Sequence, residues 1–217
     1  MPNLPSEVGF CSLLSYATRP ETEDEKKSKQ VSVQLKQDKS VGNPARPISQ
    51  WIALRVQEHQ DCAAFAGLFG ENVLAIPIPS SSLKQPGSLQ MPLELANSLK
   101  EAGLVGEVAP IAERTRALPK SAFSQASARS KAADHYDSVK VTRTLTGATS
   151  ILLVDDVITR GATLLGICAR VMEAYPGLPI FGFAAMRAVS PPDKFERIFD
   201  PQRGKVTLRG DQTYRTP

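Results

Sequence analysis

The stretch Ile151-Leu152-Leu153-Val154-Asp155-Asp156-Val157-Ile158-Thr159-Arg160-Gly161-Ala162-Thr163 decides the reading of this chain. Its four leading apolar residues have the length and composition of a strand buried on both faces. The carboxyl end of that strand delivers two adjacent acids. A short turn bearing Thr159, Gly161 and Thr163 then leads into a helical pattern from about Ala162 to Tyr175, closed by Pro176 and Gly177. In open α/β sheets, ligands bind just beyond the carboxyl ends of strands. Backbone N–H groups at a helix N-terminus form an anion cradle. Thr159 and Thr163 add hydroxyl donors to it, and Gly161 lets the backbone approach a ligand closely. Asp155 and Asp156 suit sugar hydroxyls or a water-bridged Mg²⁺. The residues alone point to a phosphate and a sugar diol held side by side.

Downstream, Ile180 to Met186 is a second apolar run, so strand, helix and strand form a βαβ unit of a parallel sheet. Upstream, Val73 to Ile78 reads as a buried strand, followed by the Pro/Ser/Gly-rich loop Pro79–Ser88 and a helix over 92–102 ended by Gly103. Glu107 to Ile111 and Ser138 to Thr142 read as short strands, and 112–138 as a long mobile loop. Val8, Phe10, Ser12, Leu14 and Tyr16 alternate with their neighbours, as do Val31, Val33 and Leu35. The expectation for residues 1–46 is therefore two strands forming a small N-terminal hairpin or hood, with the charged run Glu21–Lys29 as a solvated turn between them. Pro47 opens a helical pattern carrying Ile48, Trp51, Ile52, Val56, Ala63 and Ala66. Residues 191–217 read as a polar tail. The expected fold is α/β: an open, mainly parallel twisted sheet with helices on both faces, its core spanning 47–190.

The 217 residues carry 26 Lys+Arg against 22 Asp+Glu, and 41% are hydrophobic. That composition is globular and excludes a disordered chain. Cys11, Cys62 and Cys168 are odd in number and far apart, which excludes a disulfide framework and a CxxC zinc module and suits a reducing cytoplasm. The opening residues lack the basic start and apolar run of a secretory leader, and no stretch approaches the roughly 18 apolar residues of a membrane span. The formal charge of +4 is local: residues 112–143 hold seven basic and three acidic side chains, and the remaining segments sum to zero. An excess so placed suits a phosphate-rich ligand better than nucleic acid, which stays a minor expectation.

The 151–163 segment closely resembles the 13-residue motif that binds phosphoribosyl pyrophosphate (PRPP) in type I phosphoribosyltransferases. Four apolar residues, two acids and a turn containing Thr and Gly match in order; Arg160 stands where a second Thr or Ser is usual. Over about 73–187 the chain is most similar to the ComF-type competence branch. Ala75-Ile-Pro-Ile-Pro79 with Lys84 matches that branch's pyrophosphate loop, and Lys120 to Val141, with Gln125, Arg129 and Tyr136, its mobile catalytic loop. The branch's zinc-binding segment is absent, and Gly87-Ser-Leu-Gln90 stands where an RGxNQ-like stretch is expected.

The resemblance implies a type I phosphoribosyltransferase fold and a Mg²⁺-dependent transfer of phosphoribosyl from PRPP to a nucleobase-like nitrogen, with release of pyrophosphate. It implies that Thr159, Arg160, Gly161, Ala162 and Thr163 hold the 5′-phosphate and that Asp155 and Asp156 hold the ribose hydroxyls. Pro79, Ser80, Ser81, Ser82 and Lys84 would meet pyrophosphate, while Arg129 and Lys131 close over the leaving group. A homodimer is the expected assembly. The competing expectation is a catalytically silent PRPP or nucleotide sensor, or a ComF-like accessory protein in DNA uptake or nucleic-acid metabolism. His135 and Asp137 form a candidate acid–base pair, for which the polar edge of a loop is the plainer reading. Arg203, Lys205, Arg209 and Arg215 read as solvated tail.

Overall fold

A computed structural model describes residues 2–83, 85, 87–119, 130–191 and 193–217. The βαβ unit forms as the apolar runs dictate. Strand β8 (Ser150–Ile158), helix α5 (Ala162–Ala174) and strand β9 (Ile180–Val189) follow in order, with β8 and β9 parallel and Leu152 opposite Phe181. On the other flank β8 pairs in parallel with β4 (Gly70–Pro77), which in turn pairs with β5 (Val105–Val108). Helix α3 (Met91–Glu101) makes the crossover between β4 and β5, with Pro92 in its first turn. A short antiparallel ribbon, β6 (Ala112–Arg114) with β7 (Val139–Val141), stands apart from the sheet. Helix α4 (Ala132–Asp137) precedes β7.

Both chain ends lie inside this architecture, which corrects two expectations. Strand β1 (Glu7–Ala17) is no hood. It is an inner strand, parallel to β9 on one side and antiparallel to β10 (Phe199–Arg209) on the other. Leu13 and Leu14 are both buried in the same core layer, where the pairing with β10 shifts register between Ser12 and Leu14. The segment 191–217 is no tail: β10 and β11 (Gln212–Thr216) complete a mixed, mostly parallel seven-stranded sheet of order β11-β10-β1-β9-β8-β4-β5.

The run Glu21–Lys29 and the expected strand at Val31–Leu35 form one helix, α1 (Glu23–Leu35). Thr22 and Glu25 close a capping box at its start, with the Glu25 carboxylate accepting from the Thr22 amide at 2.9 Å. Val31 and Leu35 are four residues apart and share the inward face, whereas Val33 is exposed. Two residue pairs, β2 (Ser40–Val41) with β3 (Arg46–Pro47), lead into α2 (Ile48–Glu58), which ends before Ala63 and Ala66. Trp51 packs there with Arg55 stacked 5.4 Å from its ring.

Alternation along the strands splits the core in two. Val73, Ala75, Leu152 and Val154 face α1, α2 and α3; Leu74, Ile76, Ile151 and Leu153 face α4 and α5. Cys168 belongs to the second layer, and burial pushes its thiol up to about 12. Among the described residues no helix is long and apolar enough to cross a membrane.

One ion pair fastens the far strands. Arg187 at the end of β9 donates to the Asp200 carbonyl at 2.7 Å and to the Asp200 carboxylate, and both side chains are buried. Asp200→Ala strands a buried guanidinium and should cost about 3–5 kcal/mol in urea denaturation. Arg187→Met combined with Asp200→Leu should recover most of that loss. A cost below about 1 kcal/mol for the single variant would mean that water, not the carboxylate, satisfies Arg187.

Candidate functional site

The chain runs from β4 through α3 to β5 on one side of the sheet, and from β8 through α5 to β9 on the other. The order therefore reverses between β4 and β8, the place where open α/β sheets form a ligand crevice. Two loops leave this point side by side. Ile78 donates its amide to Val154 at 2.8 Å, which sets Pro79–Ser82 next to Asp155. Beyond Ile158 the chain turns through Thr159, Arg160 and Gly161 into α5.

Gly161 is dictated twice over. It holds φ at +84°, and a Cβ there would lie 2.3 Å from Val206 of β10. With glycine at its N-cap, α5 has no side-chain cap there. Thr159 is exposed; Arg160, Ala162 and Thr163 are half-buried around the turn. Five of the expected phosphate-binding residues thus lie together at one helix start.

The two acids sit near the carboxyl end of β8. The Asp156 amide donates to the Asp155 carboxylate at 2.9 Å, and the Val157 amide to that of Asp156 at 2.8 Å. Asp155 borders a small void among Phe10, Ile158 and Leu164. Burial there, reinforced by the charge of Asp156, holds its carboxyl well above the usual range, with Arg114 opposing. Among the described residues no three His, Cys, Asp or Glu side chains could cage a metal ion. The pair nevertheless fits Mg²⁺, which takes one or two carboxylates and draws its remaining ligands from water and substrate phosphates.

Arg114 ties the site together. Its Nε and Nη2 donate to the carbonyls of Ser80 at 3.0 Å and Pro79 at 3.1 Å, and its Nη1 donates to Ser138 Oγ at 2.6 Å. Burial brings its pKa down to about 10 while Asp155 holds it up. The 79–82 loop closes further on itself: Ser80 Oγ donates to the Ser82 carbonyl at 2.7 Å, and the Leu118 amide to the Ser81 carbonyl at 2.8 Å. His135 of α4 is buried and shares a hydrogen bond with Thr163 Oγ1 at 3.3 Å. Burial, then the Arg114 charge, brings the imidazole down to about 4, so it is neutral. Its hydroxyl partner at the turn makes it more than a polar loop edge.

The sequence offers no role for Arg114 and offers His135 only as a candidate partner of Asp137, since a three-residue strand and a six-residue helix leave no readable period. Lys131 is exposed and bonds the Asp211 carboxylate between β10 and β11, which raises the lysine and lowers the acid. Lys84 and Arg129 lie outside the described residues. Lys140 and Arg143 are not brought to the motif. They line a cleft of about 440 Å³ beside Arg170 and Glu173, in the last turns of α5. The described ends of the 112–138 segment are the ordered elements β6 and α4. No protein-family model matches the chain, and no curated protein matches its sequence.

Gly161→Ala should cost about 1–3 kcal/mol from the positive φ, with the Val206 contact in addition. Adding Val206→Ala should then raise stability, although Val206→Ala alone lowers it. Equal effects of Val206→Ala in both backgrounds would refute the close contact. Asp155 has a folded-state pKa raised above its unfolded value of 3.8. The fold is therefore favoured while the proton is on, and stability is lost as pH rises through the window above 3.8. Melting curves across this window should show Asp155→Asn gaining on the parent as pH rises. Parallel curves would mean that Asp155 is solvated.

Proposed function

We propose that this protein is a type I phosphoribosyltransferase-like enzyme that binds PRPP with Mg²⁺ and passes its phosphoribosyl group to a nucleobase-like nitrogen. The observation that carries the reading is the 151–163 segment itself. Its carboxylate pair and glycine turn stand at the switch point of the sheet, beside a loop braced by Arg114. The amides at the start of α5, with Thr159, Arg160 and Thr163, hold the 5′-phosphate. Asp155 and Asp156 hold the 2′- and 3′-hydroxyls, and the desolvated Asp155 regains through them the polar partners that burial denies it. Backbone groups of Pro79–Ser82, with Lys84, receive the pyrophosphate.

In the reaction the bond from C1 to the pyrophosphate oxygen breaks, the acceptor nitrogen bonds C1, and the nitrogen's proton leaves to solvent. Mg²⁺, when bound, neutralises charge on the departing pyrophosphate. The chain's own part is to fix the ribose, offset charge and exclude water. Arg129 and Lys131 cover the leaving group, for which Lys131 exchanges its Asp211 partner. That same ion pair favours a second reading, a PRPP sensor without turnover, because it occupies one of the two leaving-group cations.

Incubation with PRPP, Mg²⁺ and a panel of bases should release pyrophosphate, and calorimetry should register PRPP binding. Binding without release supports the sensor, and no binding rejects both readings. Asp155→Asn with Asp156→Asn should weaken PRPP binding about tenfold or more while the protein stays folded.

A further inference from the structure

Arg215, from the segment read as a solvated tail, is linked to the Gly161 turn through Val206. In the β10–β11 ribbon it is the register partner of Val206, and such partners share a face. Val206 is the residue that covers Gly161. The Arg215 guanidinium stands 6.0 Å from the Phe10 ring, on the layer that α5 covers. Its Nη2 donates to the Ala188 carbonyl at 2.5 Å. Ala188 follows Arg187, the register partner of Ile158, so the guanidinium sits level with the point where β8 gives way to Thr159. Its neighbours thus come from three strands, β10, β1 and β9.

The charge there is uncompensated. Among the described residues Arg215 has no ion-pair partner, and its buried Nη1 has no hydrogen-bond partner. The charges acting on it are Arg187, already committed to Asp200, and Asp193, while the neighbouring Tyr16 phenol is raised by burial and neutral near pH 7. Burial brings Arg215 down to about 10. A half-buried guanidinium without a carboxylate is held at a cost to the ligand-free fold, and an anion with several acceptor oxygens relieves it. We infer that Arg215 is a phosphate-binding residue that supplies the cation for a phosphate monoester seated on the Thr159–Thr163 turn. This rests on reading that turn as a phosphate cradle, and adds to it a ligand contributed by β11.

Ribose 5-phosphate carries the monoester without the pyrophosphate or the acceptor, so it isolates this contact. Calorimetry with Arg215→Met should give ribose 5-phosphate binding about tenfold weaker than the parent, with a ligand-free melting temperature no lower. Arg215→Lys, which keeps the charge and loses the fork, should fall between them and serves if the Met variant does not fold. Unchanged affinity in a folded Met variant, or in the Lys variant where Met does not fold, overturns the assignment of Arg215 alone. Absence of ribose 5-phosphate binding to the parent overturns the cradle itself and the assignment with it. Activity with PRPP is a separate readout, so a silent sensor that holds the monoester through Arg215 still satisfies the inference.

Discussion

Gly161 has no room for a side chain, and much of the candidate site follows from that. Its left-handed φ turns the chain from β8 into α5 within three residues. The N-cap of α5 is this glycine, so no capping side chain stands over the first amides there. The missing Cβ is also what lets Val206 descend onto the turn. Val206 brings with it the β10–β11 ribbon, whose connection carries Asp211 against Lys131. A constraint at one Cα therefore fixes the relative positions of a strand end, a helix start and the last two strands.

The charges around that turn divide into two kinds. Arg187 and Asp200 are buried as a hydrogen-bonded pair and serve the ligand-free fold. Asp155, Arg114 and Arg215 are displaced from their ordinary proton affinities chiefly by burial. Arg114 offsets part of its desolvation through three hydrogen bonds to the 79–80 loop and Ser138. Asp155 and Arg215 are less well compensated, one of each sign, on the same side of the sheet. A ligand with hydroxyls at one end and phosphate oxygens at the other would satisfy both. Sites built this way trade stability of the empty protein for affinity.

The parts legible in the sequence were those whose signal is local. Fully apolar runs mark β4, β8 and β9, and the Gly103 and Pro176–Gly177 stops mark the ends of α3 and α5. The acids and the glycine turn could be assigned to one crevice because a strand end and a helix start define it. Helix α1 was hidden because serines fill two of its buried positions, Ser28 and Ser32. Val31, Val33 and Leu35 then mimic a two-residue period, although the Thr22–Glu25 capping signature was present. Strands β10 and β11 were hidden differently: their composition is polar, and β10 earns its place by pairing with β1 at the other end of the chain. Arg114 was visible as charge but not as a brace, because its partners at Pro79 and Ser80 are remote in sequence.

The position of β1 has a kinetic consequence. This strand precedes every other strand of the sheet in the chain, yet its sheet neighbours are β9 and β10, with Phe10 meeting Gly182 and Gly204. Until those late segments emerge from the ribosome, an eleven-residue, largely apolar strand has neither edge paired. Topologies dominated by such distant pairings fold slowly, and unpaired apolar strands are prone to aggregate while they wait. The βαβ unit around the motif can form from contiguous chain, whereas β10 can reach Gly161 only after β1 has docked on β9. Closure of the Thr159–Thr163 turn is then a late event in folding, and β1 is the segment that waits longest for its partners.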